Sequence, residues 1–263
     1  MLKLRGQRDY GQQVHDWAGP DIIRGCFNDD FSPDCARKMN KLFTSIFALA
    51  VSTVTVASLA QDIKGDANAG QTKNAMCIGC HGIKGYQASF PEVYKVPMIS
   101  GQSASYIASA LHAYKKGERK HPTMRAVAVT LTDQDIADLS AYYSAHGVVA
   151  GAEPPATPDK VPGAEVQALL NKANCASCHG ANFNKPIDPS YPKIAGQHAD
   201  YLFVALKSYK NDNAANANAK VGRAHPIMGA MAKQYTHSEL KAMANYLASM
   251  PGDLKVIPDS RFR

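Results

Sequence analysis

Cys77-Ile-Gly-Cys80-His81 is the stretch that decides the fold, because the same pattern returns 98 positions later as Cys175-Ala-Ser-Cys178-His179. Two cysteines on one helical turn can bind both vinyl groups of a single porphyrin, and the adjacent histidine can then ligate its iron. A dithiol redox pair or half of a zinc site would also use Cys-x-x-Cys. The histidine after each pair, and the distance between the pairs, favour two covalently bound haem c groups, held by Cys77, Cys80, Cys175 and Cys178.

The first 60 residues predict an export signal ahead of the haem-binding part of the chain. A basic start at 39–41 leads into the mostly apolar residues 42–59, and the small residues at 58–60 suit a signal peptidase. We expect residues 39–60 to be a signal peptide, and 1–38 to be an over-extended start that is absent from the mature protein. A cytoplasmic extension ahead of an uncleaved membrane anchor is the alternative, although six Ser or Thr among eighteen residues make a marginal span.

The charge of the chain gives little support to nucleic-acid binding. The whole sequence carries a formal charge of +7, and removal of residues 1–60 leaves 22 Lys plus Arg against 16 Asp plus Glu, or +6. Two haems would add up to four propionates, so the net charge falls towards neutrality. The four cysteines that remain all lie in the two motifs. Because c-type haem is attached outside the bacterial cytoplasm, we expect the mature protein in the periplasm.

Self-comparison extends the repeat well beyond the haem motifs. Residues 97–114 match 192–209 at an offset of 95, and residues 121–142 match 225–246 at an offset of 104. The chain thus contains a duplicated domain of about ninety residues, and nine additional residues in the second half, between Tyr209 and Met228, account for the larger offset. The expected organisation is a first domain at 61–150, a Pro-rich linker at 151–163, a second domain at 164–251 and a C-terminal tail at 252–263.

Apolar periodicity predicts an all-α fold with three helices in each half. The first runs from about Asp66 or Gly163 into the haem motif, and the second covers about 103–116 and 198–210. The third opens on the capping patterns Thr132-x-x-Asp135 and Thr236-x-x-Glu239. No alternating strand pattern competes with these helices.

Met124 and Met228 are the best candidates for the sixth position of each iron, because they recur in register, each two residues after a proline. A thioether at this position favours the reduced metal and raises its potential. Met231 could compete with Met228 but has no counterpart in the first half. His121 and His225 also recur and would give bis-histidine haems of lower potential. The carbonyls of Pro97 and Pro192 could accept the free N–H of His81 and His179.

A family resemblance follows from these motifs. Two Cys-x-x-Cys-His domains in tandem, each with Pro-x-Ile-x-Gly-Gln, a Tyr-bearing helix and a Pro-x-Met, resemble the dihaem cytochromes c4 over about residues 61–251. The resemblance implies two class I cytochrome c folds related by a pseudo-twofold axis, with haem propionates meeting near the domain interface. It assigns His81 and Met124 to the first iron, and His179 and Met228 to the second. Departures are the His-Pro before each methionine, Tyr235-Thr236-His237 before the last helix, and the tail.

The function expected from the resemblance is single-electron transfer in a respiratory chain towards a terminal oxidase. Expected partners are a terminal oxidase and an upstream electron donor, with no nucleic acid, while peripheral membrane association stays open. An electron-accepting cytochrome subunit of a periplasmic dehydrogenase, or a dihaem redox enzyme, is the alternative. We expect no catalytic residues.

A basic segment before and after Met124 could form a docking rim for an acidic partner. Its members are Lys115, Lys116, Arg119, Lys120 and Arg125.

Overall fold

The structure is a computed structural model that describes residues 63–149, 151, 161–211 and 219–259. The predicted signal peptide, the residues before it, most of the predicted linker and the last four residues of the tail lie outside this described part. The described residues belong to one compact unit, Asp62–Arg263. Among them, no helix is both long and apolar enough to cross a membrane.

Each half of the chain folds into five helices within the described residues. The first domain contains α1 (Ala67–Lys73), α2 (Ala75–His81), α3 (Ala104–Lys116), α4 (Pro122–Ala128) and α5 (Asp133–Ala145). The second contains α6 (Ala164–Ala173), α7 (Ala176–His179), α8 (Ala199–Asn211), α9 (Pro226–Lys233) and α10 (His237–Ala248). The all-α prediction is confirmed. Four two-residue strands are added to it: β1 (Gln87–Ala88), β2 (Tyr94–Lys95), β3 (Arg119–Lys120) and β4 (Gly222–Arg223).

The capping patterns form as predicted. The Thr132 hydroxyl accepts the backbone N–H of Asp135, whose carboxylate accepts from the backbone of Thr132, and Thr236 and Glu239 repeat this box at the start of α10. The predicted first helix is instead divided, because the chain leaves regular helix at the buried Asn74 between α1 and α2. In the second half a break occurs at Asn174, which takes the left-handed conformation with φ 48°.

Short helices α4 and α9 are additions to the three helices predicted in each half, and both begin at a proline, Pro122 or Pro226. Each proline occupies the first turn of its helix. Proline fits this position since its missing N–H would have no intrahelical partner there. Met124 and Met228 therefore lie in helical first turns, which fixes the backbone that carries each sulfur.

Each domain has its own apolar core, built where the last helix of the domain crosses the earlier ones. The core of the first domain joins α3 and α5 around the fully buried Ile136 and Leu139, and Cys77 and Met124 pack against it. The core of the second domain joins α8 and α10, and Cys175 and Met231 pack against it. Each core thus supports one haem motif from the inside of its own domain.

The two domains meet through contacts that obey a pseudo-twofold relation. Gln102 donates from Nε2 to the Lys193 carbonyl (2.9 Å) and accepts the Lys193 N–H on Oε1 (2.9 Å). Gln197 makes the same pair of bonds with Met98, at 2.9 and 3.0 Å. Since Gln102 and Gln197 are equivalent in the repeat, the interface is self-complementary. The expected pseudo-twofold arrangement is confirmed by this reciprocity.

Further contacts across the interface come from equivalent and non-equivalent positions alike. Strand β3 pairs antiparallel with β4, so that Arg119 lies opposite Arg223 and Lys120 opposite Gly222. The β1–β2 hairpin of the first domain reaches over α8 of the second. There, Lys95 pairs with Asp200 at 3.7 Å, and Glu92 pairs with Lys207.

The C-terminal tail returns from the second domain to the first. Its Lys255 donates its backbone N–H to the Ser100 carbonyl (3.1 Å) and its ammonium to the Gly147 carbonyl (3.1 Å). Asp253 pairs with Lys193 at 2.9 Å on the way. The tail therefore adds a second connection between the domains, one that the sequence pattern did not predict.

Candidate cofactor sites

The two Cys-x-x-Cys-His motifs lie at short helices that open onto a common cavity. All four cysteines are half-buried, and none forms a disulfide. Burial raises the pKa of the Cys77 thiol to about 11, with the neighbouring Cys80 charge as a smaller cause, and burial also raises the pKa of Cys175. Among the described side chains, no three His, Cys, Asp or Glu are grouped as metal ligands. A pair of thiols with a single adjacent imidazole is not the four-ligand set of a zinc site.

Both motif histidines are held by proline carbonyls, as the sequence predicted. His81 Nδ1 lies 2.7 Å from the Pro97 carbonyl oxygen, and His179 Nδ1 lies 2.9 Å from that of Pro192. A carbonyl can only accept, so Nδ1 carries the proton in both rings and the lone pair is on Nε2. Burial lowers the pKa of both imidazoles, which favours the neutral form. Both rings are thus set in the tautomer that can ligate a metal through Nε2.

A cavity of about 780 Å³ runs past both motifs and across the domain interface. Its walls are mostly apolar, with contributions from Ile99, Leu139, Leu202 and Leu247 among others. Every site residue predicted from the sequence lines it: Cys77, Cys80, His81, Met124, Cys175, Cys178, His179 and Met228. The structure therefore brings the two predicted sites into one continuous apolar space.

Among the methionines that line this cavity, three belong to the short helices α4 and α9. Met124 and Met228 are equivalent residues of α4 and α9, and Met231 lies one turn beyond Met228. Met231 packs against the core of the second domain, and its sulfur accepts a weak hydrogen bond from Gln234 Nε2 at 3.9 Å. Met124 packs against the core of the first domain in the same way, so the distinguishing feature of Met231 is its counterpart in the repeat, Val127, which has no sulfur.

His121 and His225 act as helix caps. The backbone N–H of Met124 donates to His121 Nδ1 at 3.3 Å, and that of Met228 donates to His225 Nδ1 at 3.2 Å. Because Nδ1 accepts in each case, the proton of the neutral ring is on Nε2, which then has no lone pair for a metal. These two histidines therefore show the opposite tautomer to His81 and His179.

Two buried arginines meet at the centre of the interface. Arg119 and Arg223 are each only 8% exposed. Arg119 donates to the Tyr201 hydroxyl oxygen at 2.8 Å, and Arg223 donates to the same oxygen at 3.3 Å. Burial raises the pKa of Tyr201, but the positive charges of Arg223 and Arg119 outweigh burial and bring it to about 8.

The sequence interpretation of Arg119 as part of a surface docking rim is wrong. Its guanidinium lies 4.7 Å from the ring centre of Tyr114, and that of Arg223 lies 5.3 Å from the equivalent Tyr209. Arg119 and Arg223 are equivalent in the repeat at an offset of 104, a signal that could have marked them as an interface pair. Lys115 is also engaged, since it donates to the Leu131 carbonyl and pairs with Asp133. Lys116 and Arg125 stay exposed.

The residues present fit a haem with two propionates in each half. Each site offers two thiols for the vinyl groups, an oriented imidazole, a methionine and apolar walls. No carboxylate pairs with Arg119 or Arg223 among the described residues, and the buried Nε of Arg119 has no acceptor there. Buried guanidinium groups require anionic partners, which propionates would supply. The fold and the site therefore define a helical protein with two covalent haem sites in tandem.

Comparison with known proteins agrees with this class. The family model for cytochrome c matches residues 67–145 and again 163–251. Cytochrome c4 from Thiocapsa roseopersicina is 31% identical over 202 residues, which cover 71% of this chain and 93% of that protein. The crystal structure of reduced recombinant cytochrome c4 from Pseudomonas stutzeri is 26% identical, with a TM-score of 0.50 over 71% of this chain and 100% of that chain. A thiosulfate dehydrogenase electron acceptor from Stutzerimonas stutzeri is 26% identical over 215 residues, 78% of this chain and 92% of that protein.

The chain accordingly belongs to the dihaem cytochrome c4 family. It carries two covalently bound haem c groups and transfers electrons between redox proteins.

Proposed function

We propose that this protein carries single electrons in the periplasm, from an upstream donor towards a terminal oxidase of a respiratory chain. The observation that carries the proposal is the repetition of one donor set on a single cavity. Each domain presents two thiols, an imidazole fixed by a proline carbonyl and a methionine in a helical first turn. Two sites of one kind on one cavity suit electron storage and relay.

In the proposed assignment, Cys77 and Cys80 bind the first haem, and His81 and Met124 ligate its iron. Cys175 and Cys178 bind the second haem, with His179 and Met228 as the iron ligands. The tautomers of the histidines support this choice, because His81 and His179 have Nε2 free whereas His121 and His225 do not. When bound, each haem supplies a one-electron exchange between ferric and ferrous iron.

The protein's own residues then set the conditions of that exchange. The Pro97 and Pro192 carbonyls hold the two imidazole rings in orientation and increase their basicity as ligands. The apolar side chains of the cavity exclude water, which favours the less charged reduced site. Arg119 and Arg223, which have no carboxylate partner among the described residues, would hold propionates at the interface and keep their carboxyl groups ionised.

The ligand assignment is tested by changing the methionines in the purified holoprotein. Met124→Ala or Met228→Ala should each leave one reduced haem able to bind carbon monoxide, and should lower the potential of that haem. Met231→Ala is the matched control and should bind none. His121→Ala and His225→Ala should weaken their helix caps by about 1 kcal/mol without opening an iron site. Carbon monoxide binding in the histidine variants, with none in the methionine variants, would overturn the assignment.

A second candidate function is that of electron acceptor for a periplasmic dehydrogenase. The similarity to the thiosulfate dehydrogenase electron acceptor from Stutzerimonas stutzeri favours it, since the alignment spans 78% of this chain. The two functions differ in the donor and not in the haem chemistry. Stopped-flow mixing of the oxidised protein with a thiosulfate dehydrogenase and its substrate tests the second. Oxidation of the reduced protein by oxidase-containing membranes tests the first.

A further inference from the structure

Tyr235 distinguishes the second haem site from the first. It directly precedes the capping residue Thr236, and its counterpart at an offset of 104 is Leu131. Both side chains are buried in the cores of their domains, with 2% of Tyr235 and 8% of Leu131 exposed. At this position the second domain thus carries a phenol where the first domain carries an aliphatic side chain.

This hydroxyl has no hydrogen-bond partner among the described residues. The rest of the residue is firmly held, because Lys210 donates to its carbonyl and the Lys172 ammonium lies 5.4 Å from its ring centre. A tyrosine hydroxyl normally finds a partner when it is buried. An unpaired donor on a fixed, buried ring indicates an acceptor that the site takes up from outside the polypeptide.

The surroundings of the ring show where that acceptor belongs. Tyr235 lines the cavity together with Cys175 and Met231. Cys175 packs against the same apolar core that contains Tyr235, so the phenol and this haem-attachment residue share one part of the cavity wall. Glu239 Oε2 accepts from the Thr236 N–H (2.7 Å) and hydroxyl (2.9 Å), and the Tyr235 hydroxyl makes no hydrogen bond to this carboxylate.

We propose that Tyr235 is a positioning residue of the second haem site, whose hydroxyl donates a hydrogen bond to the haem centre attached at Cys175 and stabilises its reduced state. This inference rests on the proposed assignment of the second haem and deepens it. An O–H dipole that points its positive end at the haem favours the added electron. Leu131, the equivalent residue of the first domain, offers no such donor at this position. The buried phenol of the first domain is Tyr143, which lines the cavity where the second domain has Leu247, so the two sites carry their phenols at different positions.

The test is a redox titration of holoprotein carrying Tyr235→Phe, which removes one oxygen atom and keeps the ring. Loss of one neutral hydrogen bond should shift the distribution of a single electron about three- to tenfold away from the second haem. At 59 mV per tenfold for one electron, this is a fall of about 30–60 mV in the second potential, with the first unchanged. The hyperfine-shifted proton resonances of the second haem should move, while those of the first should not.

Tyr246→Phe is the matched control, because Tyr246 is buried in the same core but does not line the cavity. It should leave both potentials unchanged. Tyr235→Leu reproduces the residue of the first domain and should give the same shift as Tyr235→Phe. Unchanged potentials in a fully loaded Tyr235→Phe protein, or equal shifts in the two phenylalanine variants, would reduce Tyr235 to a packing residue. A wild-type protein whose mass lacks the second haem would instead overturn the proposed function.

Discussion

Replacing Gln102 by leucine removes two of the hydrogen bonds that hold the domains together. Leucine is close to glutamine in size and keeps the 4% exposed position filled. The change deletes the bonds to the Lys193 carbonyl and N–H, both 2.9 Å long, and a third bond in which Gln102 Oε1 accepts the Ser103 N–H at 3.0 Å. A neutral hydrogen bond contributes about 0.5–1.5 kcal/mol, so the free energy of unfolding should fall by about 1.5–4.5 kcal/mol.

The repeat provides an internal check on this value. Gln197→Leu deletes the equivalent bonds to Met98, at 2.9 and 3.0 Å, and should cost the same amount. Guanidinium unfolding of the holoprotein, followed by far-ultraviolet circular dichroism and haem absorbance, measures both variants. In the double variant the two domains should begin to unfold separately, so that the two signals no longer coincide.

Gln167→Leu is the control, because Gln167 is exposed and its amide bonds only to Asn171 on the same helix. It should change the free energy of unfolding by less than about 0.5 kcal/mol. If Gln102→Leu has an equally small effect, the reciprocal amide contacts do not stabilise the interface and the argument from them fails.

Two further predictions concern charge. Of the predicted docking rim, Lys116 and Arg125 remain exposed, and reversing both to Glu should slow electron transfer to the physiological acceptor about tenfold at low salt and flatten its salt dependence. Lys233→Glu on the second domain is the control. An equal effect of this control would leave the docking face unassigned. Asp138 accepts a hydrogen bond from Lys73 (2.7 Å), and this bond lowers the pKa of Asp138 in the folded protein. The bond therefore stabilises the folded protein fully above the unfolded-state pKa of about 4, and this stabilisation is lost as the pH falls through the folded-state pKa. Asp138→Asn should therefore lower stability by about 1–3 kcal/mol at pH 7 and much less near pH 3 in unfolding experiments, whereas an equal loss at both pH values would contradict the pKa argument.

Local signals predicted most of each domain correctly. The capping patterns at Thr132 and Thr236 form as reciprocal boxes because both partners lie within one turn and need no distant residue. The second predicted helix of each domain, α3 or α8, begins and ends within one residue of its predicted bounds, because its apolar spacing is regular. The proline carbonyls also contact the motif histidines as predicted. These features depend on residues close in sequence or on an exact repeat.

The sequence-based predictions fail for residues whose contact partner lies in the other domain, and for residue types that have two structural roles. Proline both breaks helices and begins them, and without the cap geometry at His121 the second use was missed. A basic residue in a basic run is usually solvated, so Arg119 was placed on the surface. Its aromatic and hydroxyl partners include Tyr201, 82 positions away, which no local period can indicate.

Duplication itself supplies a rule that would have found the interface. When one domain packs on its own copy about a twofold axis, a residue on that axis meets its equivalent or the neighbour of its equivalent. Gln102 with Gln197, and Arg119 with Arg223, recur in register although neither pair is required by the apolar core of its domain. Positions at which the two domains carry different residues are also informative, because the duplication does not explain them. Tyr235 opposite Leu131 lies at a core position of the repeat, where a twofold fold alone gives no reason for a hydroxyl. The scaffold is symmetric at its interface, but its two domains differ in the cavity wall at this position. It can therefore hold two haems in one space while giving the electron a preferred site.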